Sequence, residues 1–219
     1  MTLLIGSVTS TTIPMGAPAR STATREAILT AAERLFGERG FSKTSLEDIA
    51  AAAGVSRPLV YRYFGDKKDL FALVMQRVLR EWNETLVVEA DRTTPGTAHT
   101  LRLVLTACLD FARSRTILRG LLLRDSGLVR SQIGDVLDEG RDLLPALIAR
   151  VLSEGVARGD VRSDLDPADL AHVVSEVFVS YTLLVLQGAN DQVGERRVNA
   201  VIETLLHGVI AKAPRPPGG

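Results

Sequence analysis

Apolar residues recur at every third or fourth position along most of this 219-residue chain, which is the spacing of one face of an α-helix. The pattern predicts long helices over about 22–38, 66–88, 97–114, 129–158, 167–187 and 193–212. Pro145 lies inside the fourth of these, so a kink or break is expected there, and Gly155 and Gly159 should mark a frayed end. The remaining ends of the chain, 1–20 and 213–219, lack the pattern and are predicted to be disordered.

Two short helices joined by a glycine turn are predicted between the first two long ones. Thr44 and Glu47 have the spacing of a capping box that would begin the first short helix. Gly54 ends that helix because glycine adopts positive φ without steric cost. The second short helix follows Ser56 as its cap, with Pro58 in the first turn, where no intrahelical N–H partner is needed.

The second short helix, RPLVYRYF, has two different faces. Val60 and either Tyr63 or Phe64 point inward, and Asp66 caps the long helix that follows. The outward face consists of Arg57, Leu59, Tyr61 and Arg62. A short helix pair around a glycine turn, with arginine and tyrosine outward on its second member, is typical of the helix-turn-helix motif.

The segment AAAGVSRPLVYRYFGDKKDLF closely resembles the operator-binding segment of the TetR family of bacterial transcriptional repressors. The matching elements are Ala-Gly-Val-Ser at the turn, Tyr61-x-Tyr63-Phe64 in the second short helix, and Phe64-x-x-Lys67-x-x-Leu70. The preceding TREAILTAAERLFGERGFSKTSLEDIA resembles the first two helices of the same family. The resemblance covers about residues 21–75, and its six or more matches in fixed register are more specific than an isolated helix-turn-helix pattern.

The resemblance implies an all-α fold with a three-helix, helix-turn-helix DNA-binding head over 21–67 and a larger helical ligand-binding and dimerisation domain over 68–212. It also implies a homodimer formed through the last two helices, whose heads reach half-sites of a palindromic operator about one turn of DNA apart. The broad apolar stripes of those helices independently favour a four-helix interface, although a purely intramolecular core is the alternative reading.

The predicted DNA-contacting residues cluster at the starts of the two short helices and along the second. The guanidinium group of Arg57 or Arg62 could make two hydrogen bonds to a guanine or bind a phosphate, and Leu59 could pack on a thymine methyl group. Phosphate contacts are implied by the family positions of Tyr61, Tyr63 and Lys67. The full predicted set is Thr44, Ser45, Ser56, Arg57, Pro58, Leu59, Tyr61, Arg62, Tyr63 and Lys67. The alternative is a packed helical corner with a solvated basic face.

Charge and composition agree with this division of the chain. Net charge is zero, but residues 20–80 carry 11 Lys+Arg against 7 Asp+Glu, and the rest of the chain after Arg80 carries 15 against 19. A basic first third fits a module that contacts DNA. The single cysteine excludes an intramolecular disulfide and is compatible with the cytoplasm.

Two features of the sequence concern localisation. The absence of a run of 18 apolar residues predicts no membrane span. The opening MTLLIGSVTSTTIPMGAPA lacks a basic n-region, so a signal peptide is not expected, and Met15 is an alternative start.

The middle helices enclose the ligand pocket in this family, and a small hydrophobic or aromatic effector is expected. The candidate lining residues are Met75, Trp82, Leu105, Cys108, Phe111, Phe178 and Tyr181, each of which could equally be core. Cys108 is expected to be an inert buried thiol rather than a redox sensor. The three histidines are scattered, so we predict no metal site and no cofactor.

Three other functions compete with a ligand-responsive repressor. An enzyme is disfavoured because the sequence has no Gly-rich phosphate loop, no nucleophile elbow and no paired carboxylates in a catalytic register. A dimeric DNA-binding regulator without small-molecule control, or an activator on the same fold, remains open. The operator, the regulated genes and the effector are not encoded in any motif that we find.

Overall fold

A computed structural model describes residues 17–92, 96–118, 135, 136, 138, 140–187 and 192–210. The helices in this part are α1 (Ala17–Arg39), α2 (Leu46–Ala53), α3 (Arg57–Phe64), α4 (Lys67–Ala90), α5 (Thr97–Ser114), α6 (Leu143–Arg158), α7 (Pro167–Gln187) and α8 (Gln192–Val209). The β structure among the described residues is one isolated antiparallel bridge, between Val161 and Ile210. The all-α prediction is therefore confirmed.

The helix boundaries differ from the predicted ones at two places. Helix α1 begins at Ala17, so residues 17–20, which were predicted to belong to a disordered tail, are helical. The helix expected over 129–158 is interrupted, because α6 begins at Leu143 after Asp142. Pro145 consequently lies in the first turn of α6, where its missing N–H costs nothing.

Several predictions lie outside the described residues. They concern most of the 1–20 tail, the part of the 129–158 helix before residue 135, the end of the 193–212 helix and the C-terminal tail 213–219. Within the described ranges, no helix is long and apolar enough to cross a membrane.

The cap of α2 is one residue later than predicted. Ser45, not Thr44, is the N-cap: its hydroxyl accepts from Asp48 N at 3.1 Å, and the Asp48 carboxylate accepts from Ser45 N at 3.1 Å. The hydrogen bonds from Ser45 and the nearby Arg39 lower the pKa of Asp48. Gly54 ends the helix in the left-handed region with φ 67°, as predicted. The cap predicted at Asp66 is also confirmed, since its carboxylate accepts from Asp69 N at 2.8 Å.

One core unites α1, α2, α3 and the first half of α4. Phe36, Phe41 and Phe71 pack against one another with ring centroids 4.9 to 5.9 Å apart. Phe111 from α5 and Ile117 from the turn after it complete this core. The first core therefore continues past residue 67, the boundary that the resemblance implied between the DNA-binding head and the larger helical domain. A second core lies between the second half of α4 and helices α5 to α8.

The junction of the two cores is held by partly buried ion pairs and by a close backbone contact. Arg77 Nη2 lies 2.6 Å from Glu33 Oε2, and Arg115 Nη1 lies 3.0 Å from Glu33 Oε1. Arg115 also pairs with Glu81. Gly37 faces the turn so closely that an added Cβ would lie 2.7 Å from the nitrogen of Ile117. Helix α1 is thereby joined to α4 and to the end of α5.

A second polar cluster joins the start of α5 to the end of α6. Asp160 accepts from Thr97 N at 2.8 Å and from the Thr97 hydroxyl at 2.9 Å. Gly155 is not the frayed end that we predicted: it is buried, and an added Cβ would lie 2.3 Å from Thr97 Oγ1. Gly159 does end α6, in the left-handed region with φ 82°.

Candidate nucleic-acid interface

Helix α3 has one buried face and one exposed face, as the sequence predicted. Val60 and Phe64 point into the core with 0% and 4% exposure, so the inward aromatic residue is Phe64. On the opposite side Arg57, Tyr61 and Arg62 are exposed. The turn at Gly54 brings α2 against α3, which is the arrangement that presents the second helix of such a pair to the major groove.

The guanidinium group of Arg57 stands at the first residue of α3 and has two partners. Its Nη1 lies 2.7 Å from Glu47 Oε1 on α2, and its Nη2 donates to the Tyr61 hydroxyl at 3.0 Å. The same group lies 5.2 Å from the centre of the Tyr61 ring. The hydrogen bond to Tyr61, together with the charge of Glu47, raises the pKa of Arg57. A permanent cation is therefore fixed at the helix end that recognition helices direct to base edges.

The C-terminal half of α3 is attached to α1. The Tyr63 hydroxyl and Ser21 Oγ form a hydrogen bond of 3.0 Å, and the Arg25 guanidinium lies 5.5 Å from the centre of the Phe64 ring. Arg62 lies over the Tyr63 ring at 5.9 Å. Tyr63 is half-buried, so its ring supports α3 while its outer edge stays accessible.

Two of the predicted DNA contacts are occupied within the protein. Thr44 is 1% exposed, and its hydroxyl donates to Gly40 O at 2.8 Å and to Leu35 O at 3.2 Å. This burial argues against a side-chain contact with DNA, and DNA contact by Thr44 stays a prediction. Lys67 Nζ donates to Phe41 O and Thr44 O, both at 3.1 Å. The ammonium group thus joins α4 to the loop between α1 and α2 rather than projecting freely outward.

The remaining predicted contacts lie around the start of α3. Ser56 is exposed at the N-cap, and within the described structure its side chain makes no capping hydrogen bond. Pro58 is exposed in the first turn, whereas Leu59 is half-buried. Ser45 is half-buried and committed to the cap of α2. DNA contact by these four residues stays a prediction.

Glu47 and Ser21 contact predicted DNA-binding residues, Arg57 and Tyr63, and sequence reasoning missed both contacts. Glu47 was interpreted only as the capping partner of Thr44, and Ser21 only as the start of the family-like segment. Their partners lie 10 and 42 positions away in the sequence, so no local pattern could reveal them. The helix-turn-helix geometry itself, which places the first turn of α2 beside that of α3, was the available signal for Glu47.

The seven candidate ligand residues are distributed over the two cores. Met75 and Phe111 are buried in the first core, and Leu105, Cys108 and Phe178 are buried in the second. Burial raises the pKa of the Cys108 thiol to about 12. Trp82 packs against both cores. For the five residues buried in the two cores, the core-packing alternative therefore describes their positions better than a pocket lining.

Three surface cavities of about 390, 320 and 290 Å³ are present among the described residues. The first lies at the charged junction and is lined by Glu33, Arg77 and Arg115 among others. The second lies beside α4, between Leu79 and Leu143. The third is a groove between α7 and α8, and Tyr181 is the only one of the seven ligand candidates that lines any of the three cavities.

An apolar surface accompanies that groove. Val173 and Val177 on α7 are 57% and 45% exposed, and Val177 lines the groove with Val201 and Leu205 of α8. The exposed valines of α7 and the half-buried Val201 and Leu205 of α8 form one apolar surface, which is typical of a protein–protein interface.

Comparison with known proteins identifies the same segment and the same fold. A model of the family described as bacterial regulatory proteins, tetR family, matches residues 28–74, which run from α1 into α4. The transcriptional repressor BepR of Brucella suis is 30% identical over 196 residues, covering 85% of this chain and 94% of BepR. A TetR-family transcriptional regulator from Pectobacterium atrosepticum superposes with a TM-score of 0.70 at 28% identity, covering 90% of this chain and 99% of that one.

A third relative carries information about a ligand. SmeT, the repressor of the Stenotrophomonas maltophilia multidrug efflux pump SmeDEF, superposes with a TM-score of 0.67 at 26% identity. The alignment covers 91% of this chain and 96% of SmeT. SmeT has also been solved as a complex with triclosan.

Proposed function

The chain belongs to the TetR family of bacterial regulatory proteins, and we propose that it represses transcription by occupying a palindromic operator as a homodimer until a small molecule releases it. It is a DNA-binding transcriptional regulator. The observation that carries the proposal is the outward face of α3, where Arg57, Tyr61 and Arg62 are exposed within the segment that the family model matches. We assign the chain no reaction.

A homodimer through α7 and α8 is supported by the apolar surface on those helices. Burying the exposed side chains of Val173, Val177 and their neighbours against a second copy is favourable at about 25 cal/mol per Å² of apolar surface. A twofold axis makes such a surface complementary to itself. Two heads carried by one dimer then address two half-sites, which accounts for a palindromic operator.

We propose that the effector binds in the larger helical domain, beside α4. The cavity of about 320 Å³ there is lined by Leu79, Val136 and Leu143 together with the polar Gln76 and Asn83. This volume suits a small, largely hydrophobic molecule with a few polar groups. The triclosan complex of SmeT supports the same class of ligand, an apolar aromatic one.

The proposed mechanism is steric and requires two states of the dimer. In one state the heads have the spacing of the half-sites, and the bound dimer blocks access to the DNA. A ligand beside α4 tilts that helix and changes the spacing. It can do so only if it binds the second state more tightly than the first, and by linkage DNA then weakens ligand binding by the same factor.

The test is selection of DNA by the purified protein from a random duplex library, followed by binding titrations at two salt concentrations. We expect one palindromic motif, bound by one dimer. Replacing Arg57 with alanine should weaken binding to that motif by about 1–3 kcal/mol if Arg57 forks a guanine, with little change on random DNA. Arg92→Ala is the matched control, because Arg92 is also an exposed arginine paired with a glutamate, at the far end of α4.

The same assay separates the competing functions. Equal loss on the motif and on random DNA would make Arg57 a phosphate contact, and no DNA binding at low salt would refute the proposal. A motif that the protein binds regardless of every hydrophobic ligand tested would favour a regulator without small-molecule control. A reporter gene behind the motif, active only in the presence of the protein, would indicate an activator.

A further inference from the structure

We propose that Glu47 is a positioning residue for DNA recognition, which holds the Arg57 guanidinium group in the orientation that reads the operator. This inference rests on the proposed function and adds a specificity determinant on α2, outside the recognition helix. Its basis is the contact of 2.7 Å between Arg57 Nη1 and Glu47 Oε1, which crosses from the first turn of α3 to the first turn of α2.

The guanidinium group is held from two directions. Glu47 binds Nη1 from α2, while the Tyr61 hydroxyl accepts from Nη2 one helical turn along α3. A free arginine side chain samples many rotamers, and that freedom is lost when it contacts a base. Because Glu47 and Tyr61 are both attached to rigid helices, they restrict Arg57 before DNA arrives. The cost of ordering the side chain is then smaller at the moment of binding.

The group remains available for DNA. Arg57 retains 56% and Glu47 50% of their side-chain exposure, so neither is enclosed by the pair that they form. A guanidinium group has five N–H donors, and the two internal contacts use one on each Nη. Three donors are left, and a bidentate contact with guanine requires two.

The opposite role for Glu47 makes a different prediction. If its carboxylate merely repelled phosphates, removing the charge would strengthen binding to every duplex by the same factor, and the gain would fade with salt. If Glu47 acts through Arg57, removing it weakens binding to the operator alone. The two roles therefore differ in the sign of the effect and in its dependence on sequence.

The experiment compares wild type, Glu47→Gln, Arg57→Ala and the double variant on three duplexes: the motif selected by the wild type, that motif with its critical guanine replaced, and a random duplex. Glu38→Gln serves as the control, because it removes the same charge from an exposed pair on α1, with Arg34. Circular dichroism verifies that each variant is folded. Glu47 lies on an exposed surface, so loss of folding is not expected.

We expect Glu47→Gln to weaken binding to the selected motif about three- to tenfold, to leave the random duplex nearly unchanged and to reduce discrimination against the replaced guanine. In the Arg57→Ala background the same substitution should change neither affinity nor discrimination, because its effect passes through Arg57. Glu38→Gln should leave discrimination intact.

Three results would overturn the inference. Wild-type discrimination in Glu47→Gln would mean that the pair has no role in recognition. A uniform gain on all duplexes would make Glu47 a source of phosphate repulsion, and a loss that persists in the Arg57→Ala background would mean that it acts through another residue. If the wild type selects no motif, the proposed function itself fails. That failure appears in the wild type alone, whereas failure of the Glu47 inference appears only in the variants.

Discussion

Replacing Gly37 with alanine tests whether α1 and the turn after α5 are in direct backbone contact. A Cβ at Gly37 would lie 2.7 Å from the nitrogen of Ile117 and 2.9 Å from the carbonyl carbon of Thr116, whereas ordinary contacts begin at 3.4 Å. Both atoms belong to the backbone, so no side chain can rotate to make room. The two segments must separate by about 0.7 Å or bend.

The size of the effect follows from two opposing terms. Overpacking of this kind costs about 1–3 kcal/mol, and we expect the upper part of that range because backbone must move. Alanine in a helix interior returns up to about 1 kcal/mol relative to glycine. Gly37→Ala should therefore lower the free energy of unfolding by about 1–2 kcal/mol.

Gly208→Ala is the comparison variant, because Gly208 lies in α8 and an added Cβ there would meet no described atom outside its own helix within 4 Å. It should raise the free energy of unfolding by about 0.5–1 kcal/mol. Urea unfolding followed by the fluorescence of the only tryptophan, Trp82, measures both variants. Both are compared at one protein concentration, since the stability of the proposed homodimer would depend on concentration. A Gly37→Ala protein at least as stable as the wild type would refute the close contact.

Two further predictions concern single side chains in the larger helical domain, the carboxylate of Asp160 and the thiol of Cys108. Burial raises the pKa of Asp160, but its hydrogen bonds from Thr97 outweigh burial and leave the pKa below the usual value. The cluster therefore stabilises the fold above pH ~4. This contribution is lost as the pH falls through the lowered pKa of Asp160. Urea unfolding of wild type and Asp160→Asn should accordingly show a difference at pH 6 that shrinks towards pH 3, and a difference that grows on acidification would contradict this. With a pKa of about 12, only about one Cys108 thiol in 10⁴ is ionised at pH 8. A thiol reagent should therefore label Cys108 slowly in the native protein and rapidly in urea. Fast labelling of the native protein would mean that the thiol is accessible.

Local sequence patterns predicted most of the helices, but they predicted the wrong N-cap for α2, where two neighbouring residues could each cap the helix. Thr44 with Glu47 and Ser45 with Asp48 are overlapping capping boxes, each with an acid three residues on, and the sequence pattern favours neither. In the structure, Thr44 instead bonds the carbonyls of Leu35 and Gly40 at the end of α1. Because a tertiary contact uses that hydroxyl, the cap passes to Ser45.

Contacts between distant parts of the chain were beyond the sequence pattern. Lys67 was predicted to contact phosphate, yet its partners are carbonyls 26 and 23 positions earlier. Gly155 resembles a helix breaker when only its neighbours are considered, whereas it is the site of closest approach between α6 and Thr97. Helical periodicity identifies an inward face but not what lies inside, which explains why Met75 and Phe111 were assigned to a pocket and are found in a core.

In the proposed mechanism, the partly buried junction of Glu33, Arg77 and Arg115 limits which movement can carry a signal from the ligand cavity to the DNA-binding heads. Separating α1 from α4 and from the end of α5 would break the bonds of Glu33 to both Arg77 and Arg115, two partly buried ion pairs that share one carboxylate. Helix α1, the first half of α4 and the turn at Ile117 should consequently move as one unit. A ligand in the cavity beside Leu79 and Leu143 touches α4 at Gln76, Leu79 and Asn83, so it contacts that unit directly and can displace it as a rigid body without breaking its bonds.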